Sequence, residues 1–122
     1  MSIVSQHIID FSATMGMALD LAEPAHLAVE IDEVGTLHLE EQGESLVLYL
    51  SREIALTDDR PAVLRRALES VHYNNGLAEQ VAVGLAGDRL VFLTRFHQHA
   101  IDRPRLEAAV GLLTSLQDEV RA

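Results

Sequence analysis

Residues 35–54, GTLHLEEQGESLVLYLSREI, constrain the fold more than any other stretch of the sequence. Apolar and polar residues alternate there with a period of two, as they do in half-buried β-strands. The pattern predicts two strands joined by a turn at residues 41–43, with Leu37 and Leu39 on the covered face of the first. The second strand is apolar on both faces, with one row of Leu46, Leu48 and Leu50 and another of Val47 and Tyr49. A second covering layer is therefore expected over that strand.

Three further strands are predicted on either side of this hairpin. Residues 27–32 alternate between apolar and polar side chains and turn through residues 33–35 into the hairpin. Residues 81–96, VAVGLAGDRLVFLTRF, predict two strands joined at Gly87 and Asp88, a residue pair that favours a short hairpin turn.

Helical periodicity marks three other segments. Residues 3–18 carry apolar side chains three and four positions apart: Ile3, Val4, Ile8, Phe11, Met15 and, just beyond, Leu19. Residues 57–76 predict a middle helix with a Thr or Asp cap, Pro61 in the first turn and a stop at Gly76. Residues 103–120 predict a last helix whose inward positions are Leu106, Ala109, Val110, Leu113 and Leu116.

The predicted order is α-β-β-β-α-β-β-α, with no linker or repeat between elements. Strands in sequential hairpins with helices between them favour an α+β sandwich built on an antiparallel sheet. A chain of 122 residues is expected to form one domain, residues 1–122, with one modest core.

Charge and composition exclude several classes of function. Nine Lys and Arg residues against 19 Asp and Glu give a net charge of -10, which disfavours nucleic acid and anionic membrane surfaces as partners. The chain has no Cys, so disulfides, thiolate zinc sites and cysteine nucleophiles are excluded. The first residues, MSIVSQHIIDFS, lack the pattern of a signal peptide, and no apolar run approaches the roughly 20 residues of a membrane span. We expect a cytoplasmic protein.

Two groups of residues could carry chemistry, but neither is favoured. His97 and His99 are two residues apart and precede Asp102, which would suit a metal only if a third ligand were well placed. His38 and Glu40 share a strand face and could transfer protons, yet no nucleophile or oxyanion site accompanies them in the sequence. We therefore predict no catalytic, cofactor-binding or metal-binding residues and expect a protein that is not an enzyme.

Over essentially its whole length, the sequence resembles the small acidic export chaperones of type III secretion systems. These are the class I or CesT-like chaperones, and the match is nearest to their SycN type. The segments that carry the resemblance are DFSATMG, VEIDEVGTLHLEEQGESLVLYLSRE, VAVGLAGDRLVFL and LLTSLQDEV. One departure is the end of the first helix, which runs into MGMALDLAE rather than an LGLP-like end.

The resemblance implies a binding function without ATP or a cofactor. It implies an α/β sandwich that dimerises through the middle helix and a neighbouring strand, with the N-terminal part of a secreted protein wrapped around it in extended form. For the SycN type, the implied partner is a YscB-like second chaperone and the implied cargo is a YopN-like gatekeeper of secretion. The sequence leaves open whether the chain pairs with itself or another subunit, and whether the complex docks at the inner membrane.

Two sets of residues are assigned on this basis, element by element. The dimer interface is predicted to contain Leu64, Leu68, Val71 and His72. Residues predicted to contact or support cargo are Ile8, Phe11, Val29, Ile31, Leu37 and Leu39. The alternatives are a generic acidic adaptor or immunity-type module that binds a basic partner and, less favoured, a metal-dependent enzyme using His97 and His99.

Overall fold

The computed structural model describes residues 3–14, 26–72 and 79–121. Three α-helices lie within these residues: α1 (Ile3–Thr14), α2 (Arg60–Ser70) and α3 (Arg103–Arg121). Five strands accompany them: β1 (His26–Ile31), β2 (Gly35–Gln42), β3 (Ser45–Glu53), β4 (Ala82–Ala86) and β5 (Arg89–His97). The order of elements is the predicted one, and the α+β fold with an antiparallel sheet is confirmed.

The five strands form one sheet in the order β1-β2-β3-β5-β4, and every neighbouring pair is antiparallel. Strands β1 and β4 are therefore the two edges of the sheet in the part of the chain described. Helix α1 packs against β1 and β2, α3 packs against β3 and β5, and α2 lies beside α3 and β4.

One face of the sheet supplies most of the core. Residues that are opposite each other in antiparallel strands share a face, and the register pairs Leu39 with Leu48 and Leu50 with Phe92. The apolar strand residues of this face that are 2% exposed or less are Leu27, Leu37, Leu39, Leu46, Leu48, Leu50, Leu90, Phe92 and Phe96. In α3, four of the five predicted inward residues are buried, and Val110 is half-buried.

In the second apolar row of β3, Val47 is buried within the chain and Tyr49 is half-buried. Val47 is only 1% exposed, although it is not a member of the core cluster on the helix side of the sheet. It is flanked across the ladder by the long side chains of Glu40 and Arg95, which can cover an apolar neighbour with their methylene groups. Tyr49 stacks on His38 of β2.

Turn positions differ from the prediction in both early hairpins. Strand β2 runs on to Gln42, and the turn is Gly43 and Glu44 rather than residues 41–43. Gly43 has a φ of +60°, so the left-handed residue that a two-residue turn needs falls there. The turn after β1 is residues 32–34, with Glu33 at a φ of +64°, so Asp32 is not part of the strand. Met15 and Leu19 of the predicted first helix lie outside the described residues.

Candidate protein-binding surfaces

Helix α2 carries two of the four residues predicted for the dimer interface, Leu64 and Leu68, and the other two, Val71 and His72, directly follow its last residue, Ser70. Asp59 caps its first turn, since the Asp59 Oδ1 accepts a hydrogen bond of 3.3 Å from the backbone N–H of Ala62, and Pro61 occupies the first turn. The buried side of the helix is Val63, Ala67 and Ser70, so one stripe faces the core.

Leu64 and Leu68 lie beside that buried stripe, whereas Val71 packs against the core. Leu64 and Val71 are half-buried, Leu68 is 51% exposed and His72 is exposed. Leu85 of the neighbouring edge strand β4 is 39% exposed and shares the sheet face of Leu90, the face on which the helices lie. We call Leu64, Leu68, Val71 and Leu85 the β4-edge surface. Exposed and half-buried aliphatic side chains beside an edge strand of the described sheet suit a protein partner.

A further exposed leucine, not singled out from the sequence, lies in the loop between β3 and α2. Leu56 is 99% exposed. The loop is held near the β4–β5 turn, because the Ile54 N–H donates to the Asp88 carbonyl at 2.7 Å and Arg60 donates to the Gly87 carbonyl at 3.2 Å. In the sequence, Leu56 does not belong to a helix-like or strand-like pattern of apolar residues. Its position just before the polar residues 57–59 was the one sign of a surface position.

The residues predicted to contact or support cargo lie near the β1 edge of the sheet, and most of them belong to the hydrophobic core. Ile8, Leu37 and Leu39 are 1% exposed or less, and Phe11 is 6% exposed. These four can support a binding surface but do not present one. Val29 and Ile31 of the edge strand β1 are half-buried against the core and remain accessible.

A cleft opens between α1 and the start of α3. Its volume is about 450 Å³, and its lining residues are His7, Asp10, Phe11, Ile101, Asp102, Arg103 and Leu106. Phe11, Ile101 and Leu106 make the floor apolar, and charged side chains form the rim. A cleft of this composition can accept an aliphatic or aromatic side chain.

The face of the sheet opposite the helices carries a row of three parallel rings. His26, His38 and Tyr49 lie on β1, β2 and β3, with ring centroids 5.3 Å apart for the first pair and 4.4 Å for the second. The Nε2 of His26 and the Nδ1 of His38 are 3.1 Å apart, which is a hydrogen bond between the two imidazoles. The Tyr49 hydroxyl donates to Glu40 at 3.3 Å. Glu40, considered above as a proton-transfer partner of His38, therefore accepts a hydrogen bond from Tyr49.

The surroundings of this row shift two of its pKa values. Burial lowers the pKa of His38 from 6.5, and the nearby His26 and Arg89 lower it further, against a smaller opposing effect of Glu40. Burial raises the pKa of Tyr49, and the carboxylate of Glu40 adds to the shift. Both rings are thereby favoured in their uncharged forms.

His97 makes polar contacts with the nearby residues His99 and Glu44. The Nδ1 of His97 accepts a hydrogen bond from the backbone N–H of His99, and its Nε2 is 3.6 Å from Glu44. Asp102, the third residue considered for a metal, caps α3 instead, with its Oδ1 2.8 Å from the backbone nitrogen of Arg105. Within residues 3–14, 26–72 and 79–121, no group of three or more His, Cys, Asp or Glu could hold a metal ion. None of the helices in those ranges has the length and apolar character of a membrane span.

Comparison with known proteins decides the family. The model of the family described as "Type III secretory system chaperone SycN" matches residues 3–121. The chain belongs to this family. A relative in Yersinia enterocolitica, "Chaperone protein SycN", is 26% identical over 122 residues, which is 100% of this chain and 99% of the relative. The resemblance seen in the sequence is thus confirmed, and the SycN family is one of secretion chaperones.

Solved structures of similar fold agree with this assignment. A chain of the HopA1–SchA chaperone–effector complex superposes with a TM-score of 0.71 at 20% identity, covering 98% of this chain and 94% of that one. A chain of the Yersinia pestis type III secretion chaperone SycH in complex with a stable fragment of YscM2 gives a TM-score of 0.66 at 21% identity, covering 96% of each. At these identities the likeness establishes the shared fold.

Proposed function

We propose that this SycN-family chaperone works through the two opposite edges of its sheet. At the β4 edge it pairs with a second small chaperone, a YscB-like subunit or a second copy of itself. At the β1 edge it holds the N-terminal region of a secreted protein, a YopN-like gatekeeper. The complex keeps that cargo competent for secretion and guides it to the apparatus from the cytoplasm.

The observation that carries this proposal is the separation of exposed apolar residues between the two edges. Leu68 and Leu85 are exposed at the β4 edge, while Val29 and Ile31 stay accessible at the β1 edge. Removing apolar surface from water contributes about 25 cal/mol per Å², so both edges gain from a protein partner without any specific chemistry. Because the edges lie on either side of three intervening strands, a subunit and a cargo segment can bind at once.

Affinity purification of the tagged chain from its own cytoplasm tests the proposal directly. The material recovered is identified by mass spectrometry and weighed as an intact complex by native mass spectrometry. We expect a second small acidic protein, or a second copy of the chain, together with a larger exported protein. A lone monomer with nothing bound would contradict both halves of the proposal.

Replacing Leu68 with glutamate tests the dimer interface itself. The change Leu68→Glu puts a charge in the middle of the β4-edge surface, and a buried unpaired charge costs several kcal/mol, so we expect subunit association to be lost. The matched control is Ala108→Glu, which adds the same charge at an exposed position of α3. Light scattering or native mass determination reports the outcome. A Leu68→Glu variant that remains dimeric would show that α2 is not the interface.

A further inference from the structure

The cleft between α1 and the start of α3 carries two carboxylates above an apolar floor. We propose that this cleft binds a lysine or arginine side chain of the cargo, with the aliphatic stem on the floor and the cationic head at Asp10 and Asp102. This inference rests on the proposed function, since it names one side chain that the cargo presents to the chaperone.

The cleft separates apolar from charged residues by depth. Asp10 and Phe11 line it from α1, and Ile101, Asp102 and Leu106 line it from the start of α3. Phe11, Ile101 and Leu106 are 8% exposed or less, whereas both aspartates are exposed. The volume of about 450 Å³ is ample for one long side chain.

Both carboxylates are held in place and can accept further hydrogen bonds. Asp10 accepts from the side chain of Gln6 at 2.9 Å, and the Oδ1 of Asp102 is 2.8 Å from the backbone nitrogen of Arg105, at the start of α3. An ionised carboxylate has about four acceptor positions, so a cation can be added without breaking these contacts.

A long basic side chain matches this arrangement better than a purely aliphatic one. An aliphatic side chain that covered the cleft would take water from the two carboxylates without replacing its hydrogen bonds, which costs free energy. Lysine and arginine can lay their methylene groups on an apolar surface while the charged head stays at the rim. The head then donates charge-assisted hydrogen bonds to the carboxylates.

The chain itself offers no other cation to this cleft. It contains no Lys, and of its nine arginines only Arg103 is among the residues that line the cleft. Arg103 donates to Glu107 at 3.1 Å, so its charge is already paired along the helix. The neighbouring Arg105 donates to both oxygens of Glu79, at 2.7 Å and 3.0 Å. A cation that fills the cleft therefore comes from another molecule.

A segment held at the β1 edge can reach the cleft over a short distance. Helix α1 packs against β1 and β2, so the cleft lies along the helix that borders this edge. An extended chain advances about 3.3 Å per residue, so roughly four residues cross the 10–12 Å width of a helix. We therefore expect the basic residue about four or more positions from the cargo residues that contact β1.

A displayed library of random 12-residue peptides, selected on the chaperone as purified with its partner subunit, provides the probe. We expect the selected peptides to share Lys or Arg at one position. The same selection on the double variant Asp10→Asn, Asp102→Asn should lose this preference. Asparagine keeps the acceptor for Gln6 and the cap of α3, so the variant removes charge without removing these contacts.

The matched control separates the cleft from the overall acidity of the chain. The double variant Asp118→Asn, Glu119→Gln removes the same two charges at exposed positions near the other end of α3, and it should keep the preference. Selected peptides without a common basic position, or no selected peptides at all, would overturn the proposal. So would a preference that persists in Asp10→Asn, Asp102→Asn or disappears equally in the control.

The strength of the contact follows from a thermodynamic cycle. One selected peptide, and a form with methionine in place of its basic residue, are measured by calorimetry against wild type and Asp10→Asn, Asp102→Asn, with circular dichroism to verify folding. Methionine keeps an unbranched apolar side chain without the charge. We expect either change to weaken binding about three- to tenfold, with no further loss when both are made.

A methionine change that weakens binding equally in wild type and in Asp10→Asn, Asp102→Asn would refute the contact with the carboxylates. Recovery of the secreted cargo by the tagged chain would then leave the chaperone function intact while this specificity fails.

Discussion

Gly35, the first residue of β2, is a position where only glycine fits. Its φ is +148°, and a Cβ built there would lie 2.2 Å from the carbonyl oxygen of Ser51 in β3. Backbone atoms cannot give way as a flexible side chain would, so the β1–β2 hairpin and its partner strand would have to separate. The close approach of the two backbones explains why the turn into β2 needs this residue.

We predict that Gly35→Ala lowers the free energy of unfolding by roughly 3–5 kcal/mol, in the range of severe backbone changes. The control is Gly43→Ala, at a φ of +60° with no atom within 4 Å of the added Cβ. That change should cost only about 1 kcal/mol, the penalty of a left-handed conformation. Urea unfolding of wild type and both variants measures the two losses of stability. Similar losses at the two positions would contradict the steric explanation.

His38 couples the stability of the fold to pH. Its pKa in the folded chain lies below 6.5, first because of burial and then because of His26 and Arg89. Between the folded and unfolded pKa values, the unfolded chain binds more protons, so stability rises with pH. The contribution is complete above the unfolded pKa and is lost as the pH falls through this window.

The variant His38→Gln removes this titration. We expect wild type to lose more stability than His38→Gln between about pH 7.5 and about pH 5, measured as free energies of unfolding in urea. The charged and titratable groups around the imidazole are His26, Arg89, Glu40 and the stacked Tyr49, and all four remain in the variant. An unchanged or larger pH dependence in His38→Gln would show that His38 is not the group responsible.

At the scale of helices and strands, hydrophobic periodicity and helix-capping residues predicted most of the fold. Strand alternation and helix spacing are local signals, and they predicted the order of all eight elements. Turn positions were less secure, because residues 41–43 and 43–44 offer similar turn chemistry and only the Gln42–Ser45 register decides between them. The burial of Val47 could not be anticipated either, because the residues beside it are set by the register with two other strands.

Contacts between elements that are far apart in the sequence could not be predicted from the sequence. Gln117 of α3 is 1% exposed, and its Nε2 donates to the carbonyls of Leu50 at 3.1 Å and Leu90 at 3.0 Å. Its Oε1 accepts from Arg52 at 3.3 Å, so one side chain joins the helix to two strands. A polar residue next to Leu116 gives no local sign of this role. The row of rings was hidden for the same reason, since it depends on the register of three strands.

Helix α2 offers a prediction at this scale, because its N-terminus is held by one side chain. Asp59→Ala removes the acceptor for the Ala62 N–H and should lower the free energy of unfolding by about 1 kcal/mol. The control is Asp58→Ala, which changes the same charge one residue before the cap. If both variants lose the same amount, the effect comes from charge near the helix terminus and not from the capping hydrogen bond.

For the whole molecule, a net charge of -10 coexists with apolar surfaces at both sheet edges. In the proposed function, the acidic surface keeps an otherwise apolar assembly in solution, and the edges provide the binding. An acidic adaptor for a basic partner would reverse these roles, with charge providing the affinity. The two interpretations differ in how binding responds to salt, since screening shortens the reach of charges but leaves apolar burial intact.

We predict that the Kd for the partner subunit changes by less than about threefold between 0.1 and 1 M NaCl, where the Debye length falls from about 10 Å to about 3 Å. Leu68→Ala should weaken binding at every salt concentration, because it removes apolar contact from the β4-edge surface at a position that is 51% exposed in the free chain. Sedimentation equilibrium of the purified complex measures both. A Kd that rises tenfold or more with salt, together with an unaffected Leu68→Ala variant, would favour the acidic adaptor, because attraction between opposite charges would then dominate the interface.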